Sequence, residues 1–360
     1  MSSPHPGALR VDVAALAGYR DRIDVRSPAE FAQDHVPAAA NHPVLDDAER
    51  SRIGTLYAAA PFSARRQGAA LVARNIATML ETAFVDRGRD WRPLVYCWRG
   101  GQRSRALTQV LNEVGWRAVQ LEGGYRAYRR QVVAELARLP LHCRFVVICG
   151  LTGSGKSRLL AALERAGAQT LDLEGIARHR GSVLGDLPGD PQPSQKWFES
   201  QLCDALGRLD PSRPVFVESE SRRIGGVQMP DALLAQMRIG RVLTLVTPLA
   251  QRVALLKDEY AHFLAAPAQL GACLQPLSER YGNATIARWQ AMAAAGDWDG
   301  LVAALLEAHY DPMYARSLER NFPSSRQARV VEANTVSPEA FAALAGEVRA
   351  TLDVAAEVTS

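Results

Sequence analysis

The segment from Gly150 to Ser157, which reads GLTGSGKS, constrains this chain more than any other. An apolar run, RFVVIC, precedes it, and a pattern typical of a helix follows it. Glycines in such a segment let backbone N–H groups converge on phosphate oxygens, and the helix N-terminus adds partial positive charge. The segment therefore predicts a strand, a phosphate-binding loop and a helix in succession, and with them a domain that binds a polyphosphate.

Two side chains of this loop have distinct expected roles. Lys156 would reach the terminal phosphate as a compact ammonium, and Ser157 is a candidate ligand for Mg²⁺. Lysine is rare in this chain, with three lysines among 42 basic residues, which makes its presence here more informative. The other residues predicted to bind phosphate are Gly150, Gly153, Ser154 and Gly155.

Acidic residues follow two later strand patterns and are candidates for a substrate or metal-water site. The run PVFVESES places Glu218 at a strand end, with Glu220 and Arg222 close behind it. The segment LDLEGIARHRGS contributes Asp172, Glu174 and Arg180. From the residues alone, the second set is as consistent with a solvated loop as with a substrate site. No [NT]KxD motif for guanine is evident, so the sequence does not identify the polyphosphate.

A second glycine-rich loop lies earlier, in LVYCWRGGQRSRALTQVL. Cys97 follows a buried-strand pattern and precedes a helix pattern, with Arg99, Arg103 and Arg105 nearby. Converging amides, a helix N-terminus and cations all favour the thiolate form of a cysteine. We therefore predict that Cys97 is a reactive thiol, assisted by Arg99 and Arg103.

The full set of cysteines does not indicate a disulfide framework or a zinc site. The total of five is odd, and no CxxC pair occurs. No apolar run reaches the ~18 residues of a transmembrane helix. The N-terminus also lacks the pattern of a signal peptide. These features predict a cytoplasmic protein that does not span a membrane.

Strand and helix patterns alternate along both halves of the chain, which predicts an α/β fold with parallel sheets. A chain of 360 residues also favours two domains. We place the first domain at residues 1–138 and the second at residues 139–360, with a helical region at about 250–320.

Charge is distributed unevenly between the two halves. Residues 1–140 contain 20 Arg, no Lys and 14 Asp or Glu, whereas the whole chain has a net charge of +4. A basic first half would suit an anionic partner such as RNA. On charge alone, a solvated surface is the simpler interpretation.

The cysteine loop is compatible with two chemistries. Its thiolate would either carry sulfur or selenium, or attack a phosphate ester as in C-x5-R phosphatases. Cys97 and Arg103 satisfy that spacing, but Tyr96 stands where such phosphatases usually have histidine.

Three segments, DVRSPAEFAQDHVPAAANHP, YCWRGGQRS and LEGGYRAY, together resemble a rhodanese domain. Two features depart from that family: Asp34 replaces its usual glycine, and the cysteine loop is one residue longer than in common sulfurtransferases. These departures argue against a simple thiosulfate sulfurtransferase. The residues that match the entry motif are Asp24, Arg26, Glu30, His35, Pro37, Ala39, Asn41 and Pro43.

The combination and order of the two predicted domains indicate a more specific family than either domain alone. A rhodanese-like domain followed by a P-loop NTPase-like domain resembles the bacterial tRNA 2-selenouridine synthase family across nearly the whole chain. Supporting segments are CWRGGQRS, GLTGSGKS, LDLEGIARHRGSVLG, QPSQKWFE, VFVESESRRIG and HYDPMY.

This resemblance implies a tRNA substrate and two reactions on wobble 2-thiouridine. In the first, geranyl diphosphate alkylates the sulfur, with the P-loop holding the diphosphate. In the second, selenium from selenophosphate replaces the geranylthio group, with Cys97 as the carrier. The resemblance implies no tightly bound cofactor, and it makes a selenophosphate-producing enzyme a candidate partner.

Three other interpretations remain open from the sequence. The first is a rhodanese-type sulfurtransferase fused to an ATP-dependent kinase or ATPase. The second is a non-catalytic thiol sensor with a nucleotide-gated domain. The third is a phosphatase that uses the C-x5-R loop.

Overall fold

The computed structural model describes residues 9–182 and 184–357 and consists of two compact units. Unit 1 extends to Leu136 and also includes Ser194–Asp204; unit 2 comprises Ala137–Pro193 and the residues from Ala205 onward. Each unit has a parallel five-stranded sheet, which confirms the predicted α/β fold class. Within the described ranges, no helix is long and apolar enough to cross a membrane.

The sheet of unit 1 places the cysteine loop at the end of a central strand. Its strands are β1 (Arg10–Val11), β2 (Arg22–Asp24), β3 (Ala39–Asn41), β4 (Leu94–Tyr96) and β5 (Val119–Leu121). Their order is β1-β5-β4-β2-β3, and every pair is parallel. All three residues of β4 are buried, as an apolar strand covered on both faces requires.

The helices of unit 1 are α1 (Pro28–Gln33), α2 (Asp47–Ala59), α3 (Pro61–Glu81), α4 (Gln102–Val114) and α5 (Gly124–Arg138). The α4 helix ends at Gly115, which adopts the left-handed conformation that glycine favours. The α3 helix begins at Pro61, because proline is suited to the first helical turn. The sequence did not predict α2, which lacks a distinct apolar face.

The Ser194–Asp204 segment, which contains most of QPSQKWFES, packs against the helices of unit 1. The ring of Trp197 stacks on His35 at 3.9 Å, and Arg129 of α5 forms an ion pair with Glu199. The domain boundary predicted from the sequence, after residue 138, lies two residues from the end of the first part of unit 1 at Leu136. The prediction assigned Ser194–Asp204 to the second domain, whereas the structure assigns this segment to unit 1.

The sheet of unit 2 has the order β12-β11-β6-β8-β7, and β9 pairs with β10 outside it. Its strands are β6 (Arg144–Cys149), β7 (Gln169–Leu171), β8 (Pro214–Glu218), β9 (Arg223–Ile224), β10 (Val227–Gln228), β11 (Arg241–Val246) and β12 (Arg329–Glu332). Because β6 and β8 are parallel neighbours, with Ile148 opposite Glu218, the loops that follow them share one sheet edge.

Helices surround this sheet and form a helical region between β11 and β12. The helices before that region are α6 (Lys156–Arg165), α7 (Leu173–Ala177) and α9 (Asp231–Ile239), whereas α8 (Gln195–Gly207) belongs to unit 1 as far as Asp204. The region itself contains α10 (Leu249–Glu259), α11 (Ala261–Ala265), α12 (Pro267–Leu274), α13 (Ser278–Tyr281), α14 (Asn283–Ala294), α15 (Trp298–Leu305) and α16 (Asp311–Asn321). A π-helical turn, Leu306–Tyr310, joins α15 to α16, and α17 (Pro338–Glu357) follows β12. The helical insertion near 250–320 is thus confirmed.

Candidate functional site

The phosphate-binding loop connects β6 to α6 in unit 2. Gly155 caps α6 with φ of +88°, and a Cβ atom on it would lie 2.4 Å from the Phe341 ring. Glycine is therefore required there by both conformation and space. The ammonium of Lys156 donates a 2.9 Å hydrogen bond to the carbonyl of Gly150, so it lies folded over the loop.

Tyr314 supports this loop from α16, and the sequence did not predict it as a site residue. Its hydroxyl accepts a 2.9 Å hydrogen bond from the Gly150 N–H and forms another of 2.7 Å with Ser219. The Lys156 ammonium lies 5.2 Å from the centre of its ring. Tyr314 is the last residue of HYDPMY, a segment that supports the family resemblance in the sequence.

The Arg252–Asp311 ion pair is a second support. The Arg252 side chain is buried, and its Nη1 lies 3.0 Å from Oδ2 of Asp311. Its Nε donates a 2.9 Å hydrogen bond to the Thr152 carbonyl within the loop. Because Asp311 is also part of HYDPMY, this segment fixes the phosphate-binding loop at two points.

Three glutamates lie beside the loop. The Ser157 hydroxyl donates a 3.0 Å hydrogen bond to Glu174, and the Glu174 N–H donates one of 2.8 Å to Glu218 at the end of β8. Burial, reinforced by the charge of Glu174, raises the pKa of Glu220 to about 8. Burial also raises the pKa values of Glu174 and Glu218. This cluster therefore carries less negative charge near neutral pH than three exposed glutamates would.

Groups around Lys156 favour its charged form more than burial disfavours it. Burial alone would lower the pKa of Lys156, but Tyr314, Glu174 and Glu220 outweigh it and raise the pKa. A cation held in this way is suited to stabilise the negative charge of a polyphosphate.

A cavity of about 370 Å³ opens above the loop. Seven of the predicted site residues line it: Gly153, Gly155, Lys156, Ser157, Glu174, Arg180 and Glu220. Gly150, Ser154 and Glu218 are buried and do not line the cavity. Asp172 caps α7 by accepting a 2.7 Å hydrogen bond from Gly175, and Arg222 pairs with Asp231; neither lines the cavity.

Ser157 offers one hard oxygen ligand at the mouth of the loop. Mg²⁺ is commonly held by one or two protein oxygens together with phosphates and waters, and an exposed hydroxyl beside a carboxylate fits that donor set. Among residues 9–182 and 184–357, no group of three or more His, Cys, Asp or Glu side chains is arranged to hold a metal ion.

The cysteine loop lies between β4 and α4 in unit 1. The sulfur of Cys97 accepts hydrogen bonds from the Gly101 N–H at 3.2 Å and the Ser104 hydroxyl at 3.1 Å. The first donor lies at the N-terminus of α4, whose dipole also favours negative charge. Only 3% of Cys97 is exposed, so its sulfur has little contact with solvent in this structure.

The turn before α5 holds the cysteine loop in shape. A Cβ atom on Gly124, where φ is +56°, would lie 2.2 Å from the Cys97 carbonyl oxygen. The Tyr125 N–H donates to that same oxygen at 2.9 Å, and the Gln120 amide donates to the carbonyl of Gly100 at 2.9 Å. The segments CWRGGQRS and LEGGYRAY, which are separate in the chain, are thus in direct contact.

The two predicted arginines of this loop differ in their surroundings. Arg99 is exposed, whereas the guanidinium of Arg103 is half-buried and donates a 2.8 Å hydrogen bond to Glu30 of α1. Asp34, the residue that departs from the rhodanese pattern, is buried and accepts a 2.7 Å hydrogen bond from the Tyr125 hydroxyl. Asp34 thus links the end of α1 to the turn that supports the cysteine loop.

Comparison with known families accounts for both units. Residues 143–336 match the model described as the tRNA 2-selenouridine synthase AAA domain, and residues 13–131 match the rhodanese-like domain. The first match covers more than half of the chain. The protein belongs to the tRNA 2-selenouridine synthase family.

Relatives named tRNA 2-selenouridine synthase align with most of this chain. The protein of Nitrosomonas europaea is 33% identical over 79% of this chain and 75% of its own length. That of Verminephrobacter eiseniae is 36% identical over 81% and 87%. That of Chromohalobacter salexigens is 34% identical over 89% and 93%. The two matched ranges, 13–131 and 143–336, contain the cysteine loop and the phosphate-binding loop respectively.

Proposed function

We propose that this protein converts wobble 2-thiouridine of tRNA to 2-selenouridine through an S-geranyl-2-thiouridine intermediate, using geranyl diphosphate and selenophosphate. Family membership supports selenouridine formation in tRNA. The observation that carries the two-step route is that one chain holds both a supported Lys156 loop and a Cys97 sulfur with two hydrogen-bond donors.

The first step uses the phosphate-binding loop. The thiocarbonyl sulfur attacks C1 of geranyl diphosphate, the C1–O bond breaks, and diphosphate leaves while the uridine loses its N3 proton. Negative charge accumulates on the departing diphosphate, where Lys156 and the loop amides would stabilise it. Ser157 would hold a Mg²⁺ ion if one accompanies the diphosphate, and that ion would neutralise part of the same charge.

The second step uses the cysteine loop. Alkylation makes the sulfur at C2 a better leaving group, so a selenium nucleophile can add at C2 and expel geranylthiol. Cys97 is the residue that would deliver this selenium without a change of oxidation state: its thiolate would attack the phosphorus of selenophosphate, break the P–Se bond and release selenide for addition at C2. Water would then cleave the S–P bond, which releases phosphate and restores the thiol. The Gly101 N–H and the Ser104 hydroxyl would stabilise negative charge on its sulfur.

Titration calorimetry of the full chain with geranyl diphosphate and with ATP tests the identity of the polyphosphate. We expect tighter binding of geranyl diphosphate and no ATP consumption during turnover. Stoichiometric ATP hydrolysis coupled to tRNA modification would instead establish the alternative, a sulfurtransferase fused to an ATP-dependent enzyme.

A further inference from the structure

An apolar chamber of about 60 Å³ lies within the helical region of unit 2. Helices α10, α11, α12 and α15 and the π-helical turn enclose it. Its apolar wall is formed by Leu264, Leu270, Leu301, Val302, Leu305 and Leu306. Empty space against such side chains lowers the stability of a fold, because the wall atoms lack packing partners.

The chamber adjoins the cavity above the phosphate-binding loop. Five residues line both spaces: Thr152, Ser182, Leu256, Tyr260 and Tyr310. The shared boundary is partly polar, since the Ser182 hydroxyl hydrogen-bonds to the Tyr260 hydroxyl at 3.0 Å. Arg180, which lines the phosphate side, lies 4.9 Å from the centre of the Tyr260 ring. Across this boundary the lining therefore changes from cationic to apolar.

We propose that this chamber is the binding site for the hydrocarbon tail of the diphosphate substrate. This inference rests on the proposed function and adds to it the location of the tail. A ligand that fits both spaces has an anionic head at Lys156 and an apolar tail beyond Tyr260. A nucleoside would instead place polar base edges against leucine side chains, which costs free energy without hydrogen-bond partners.

The volume of the chamber matches part of a ten-carbon tail. A water-sized group needs about 10–15 Å³ of such volume, so the chamber admits about four to six of them. That is the size of one isoprene unit. The other unit would lie at the shared boundary, between Leu256 and Tyr260.

Val302 is suited to a direct test because it lines the chamber and is only half-buried on α15. Val302→Phe would place a ring in the chamber while leaving the phosphate-binding loop unchanged. We expect geranyl diphosphate to bind about tenfold more weakly, which corresponds to about two CH₂ groups that remain unburied. Inorganic pyrophosphate, which lacks a tail, should bind with unchanged affinity.

Two further variants keep this test interpretable. Leu264→Trp fills the chamber from α11, in case Val302→Phe fails to fold. Val330→Phe makes the same change as Val302→Phe at an exposed position of β12 and should leave both affinities unchanged. Calorimetric titration and thermal unfolding would be measured on the full chain for each variant.

The outcomes separate this inference from the proposed function. Selective loss of geranyl diphosphate binding in a chamber variant supports the inference. If the unmodified protein prefers geranyl diphosphate over pyrophosphate and the folded chamber variants retain that preference, the chamber is not the tail site. Equal loss of both ligands also overturns it. If the unmodified protein shows no preference, the proposed function itself fails, and the inference fails with it.

Discussion

The hydroxyl of Ser157 donates a 3.0 Å hydrogen bond to the carboxylate of Glu174, which lies on α7 rather than in the phosphate-binding loop. Glu174 in turn donates its backbone N–H to Glu218 at the end of β8. The end of the loop is therefore connected through Glu174 to a fully buried carboxyl group of the sheet. This chain of contacts holds the Ser157 hydroxyl in a defined orientation before any phosphate binds.

Replacing Ser157 by Ala should weaken binding of inorganic pyrophosphate by about fivefold to tenfold. One hydrogen bond, worth about 1 kcal/mol, is lost, together with the candidate Mg²⁺ ligand. Titration calorimetry with and without Mg²⁺ would measure the effect. Ser157→Thr keeps the hydroxyl and should bind normally. Unchanged affinity in Ser157→Ala would show that the hydroxyl does not contact the ligand.

Replacing Lys156 by Ala should reduce geranylation of 2-thiouridine tRNA by about a hundredfold or more, because the cation facing the leaving diphosphate is removed. Selenation of tRNA that is already geranylated should persist at least in part. Nucleoside mass spectrometry after incubation with each substrate would measure both steps. Lys196→Ala removes a lysine of unit 1 and serves as the matched control. Normal geranylation by Lys156→Ala would be incompatible with the assigned role.

Replacing Cys97 by Ser should abolish selenium incorporation and leave geranylation largely intact, because the two loops belong to different units. The same mass-spectrometric assay applies, with S-geranyl-2-thiouridine expected to accumulate. Cys273→Ser, which alters an exposed thiol of unit 2, should behave as the unmodified protein. Failure of Cys97→Ser to form the geranylated nucleoside would refute this division of labour.

The Glu30–Arg103 ion pair should make the stability of unit 1 depend on pH. Burial alone would raise the pKa of Glu30, but Arg103, the Ser27 N–H and Arg50 together outweigh it and lower the pKa below its ordinary value of 4.5. A lowered pKa adds stability above the ordinary pKa, and this stability is lost as pH falls through the lowered value.

Glu30→Gln should therefore lower the free energy of unfolding by about 1 kcal/mol at neutral pH, as expected for a partly exposed pair. The difference from the unmodified protein should shrink progressively below pH 4.5. Differential scanning calorimetry at several pH values would measure it. Glu81→Gln, at an exposed position at the end of α3, is the control and should show little change. A difference that grows on acidification would contradict the assigned ion pair.

Local sequence patterns predicted the two loops because their chemistry is contained in short segments. The Lys156 loop and the Cys97 loop each lie between a buried strand and a helix, and those periodicities are visible in the sequence. In contrast, the sequence did not predict the supports of the phosphate-binding loop. Arg252 and Tyr314 are distant in the chain and reach the loop only after the helical region folds.

Long-range packing likewise decided which acidic candidates reach the cavity. Glu174 and Asp172 occupy one short segment, yet only Glu174 lines the cavity, while Asp172 caps the helix that presents it. The placement of Trp197 against His35 in unit 1 was also not predictable, because QPSQKWFES lies far along the chain from its packing partners. The spacing of residues within one segment does not specify contacts between residues that are far apart in the chain.

Mass analysis of the wobble nucleoside after stepwise incubation tests the central claim most directly. Purified protein would first receive 2-thiouridine tRNA with geranyl diphosphate, and selenophosphate would be added only after free geranyl diphosphate is removed. We expect S-geranyl-2-thiouridine after the first step and 2-selenouridine after the second. Formation of 2-selenouridine at an equal rate when geranyl diphosphate is omitted throughout would contradict the two-step account.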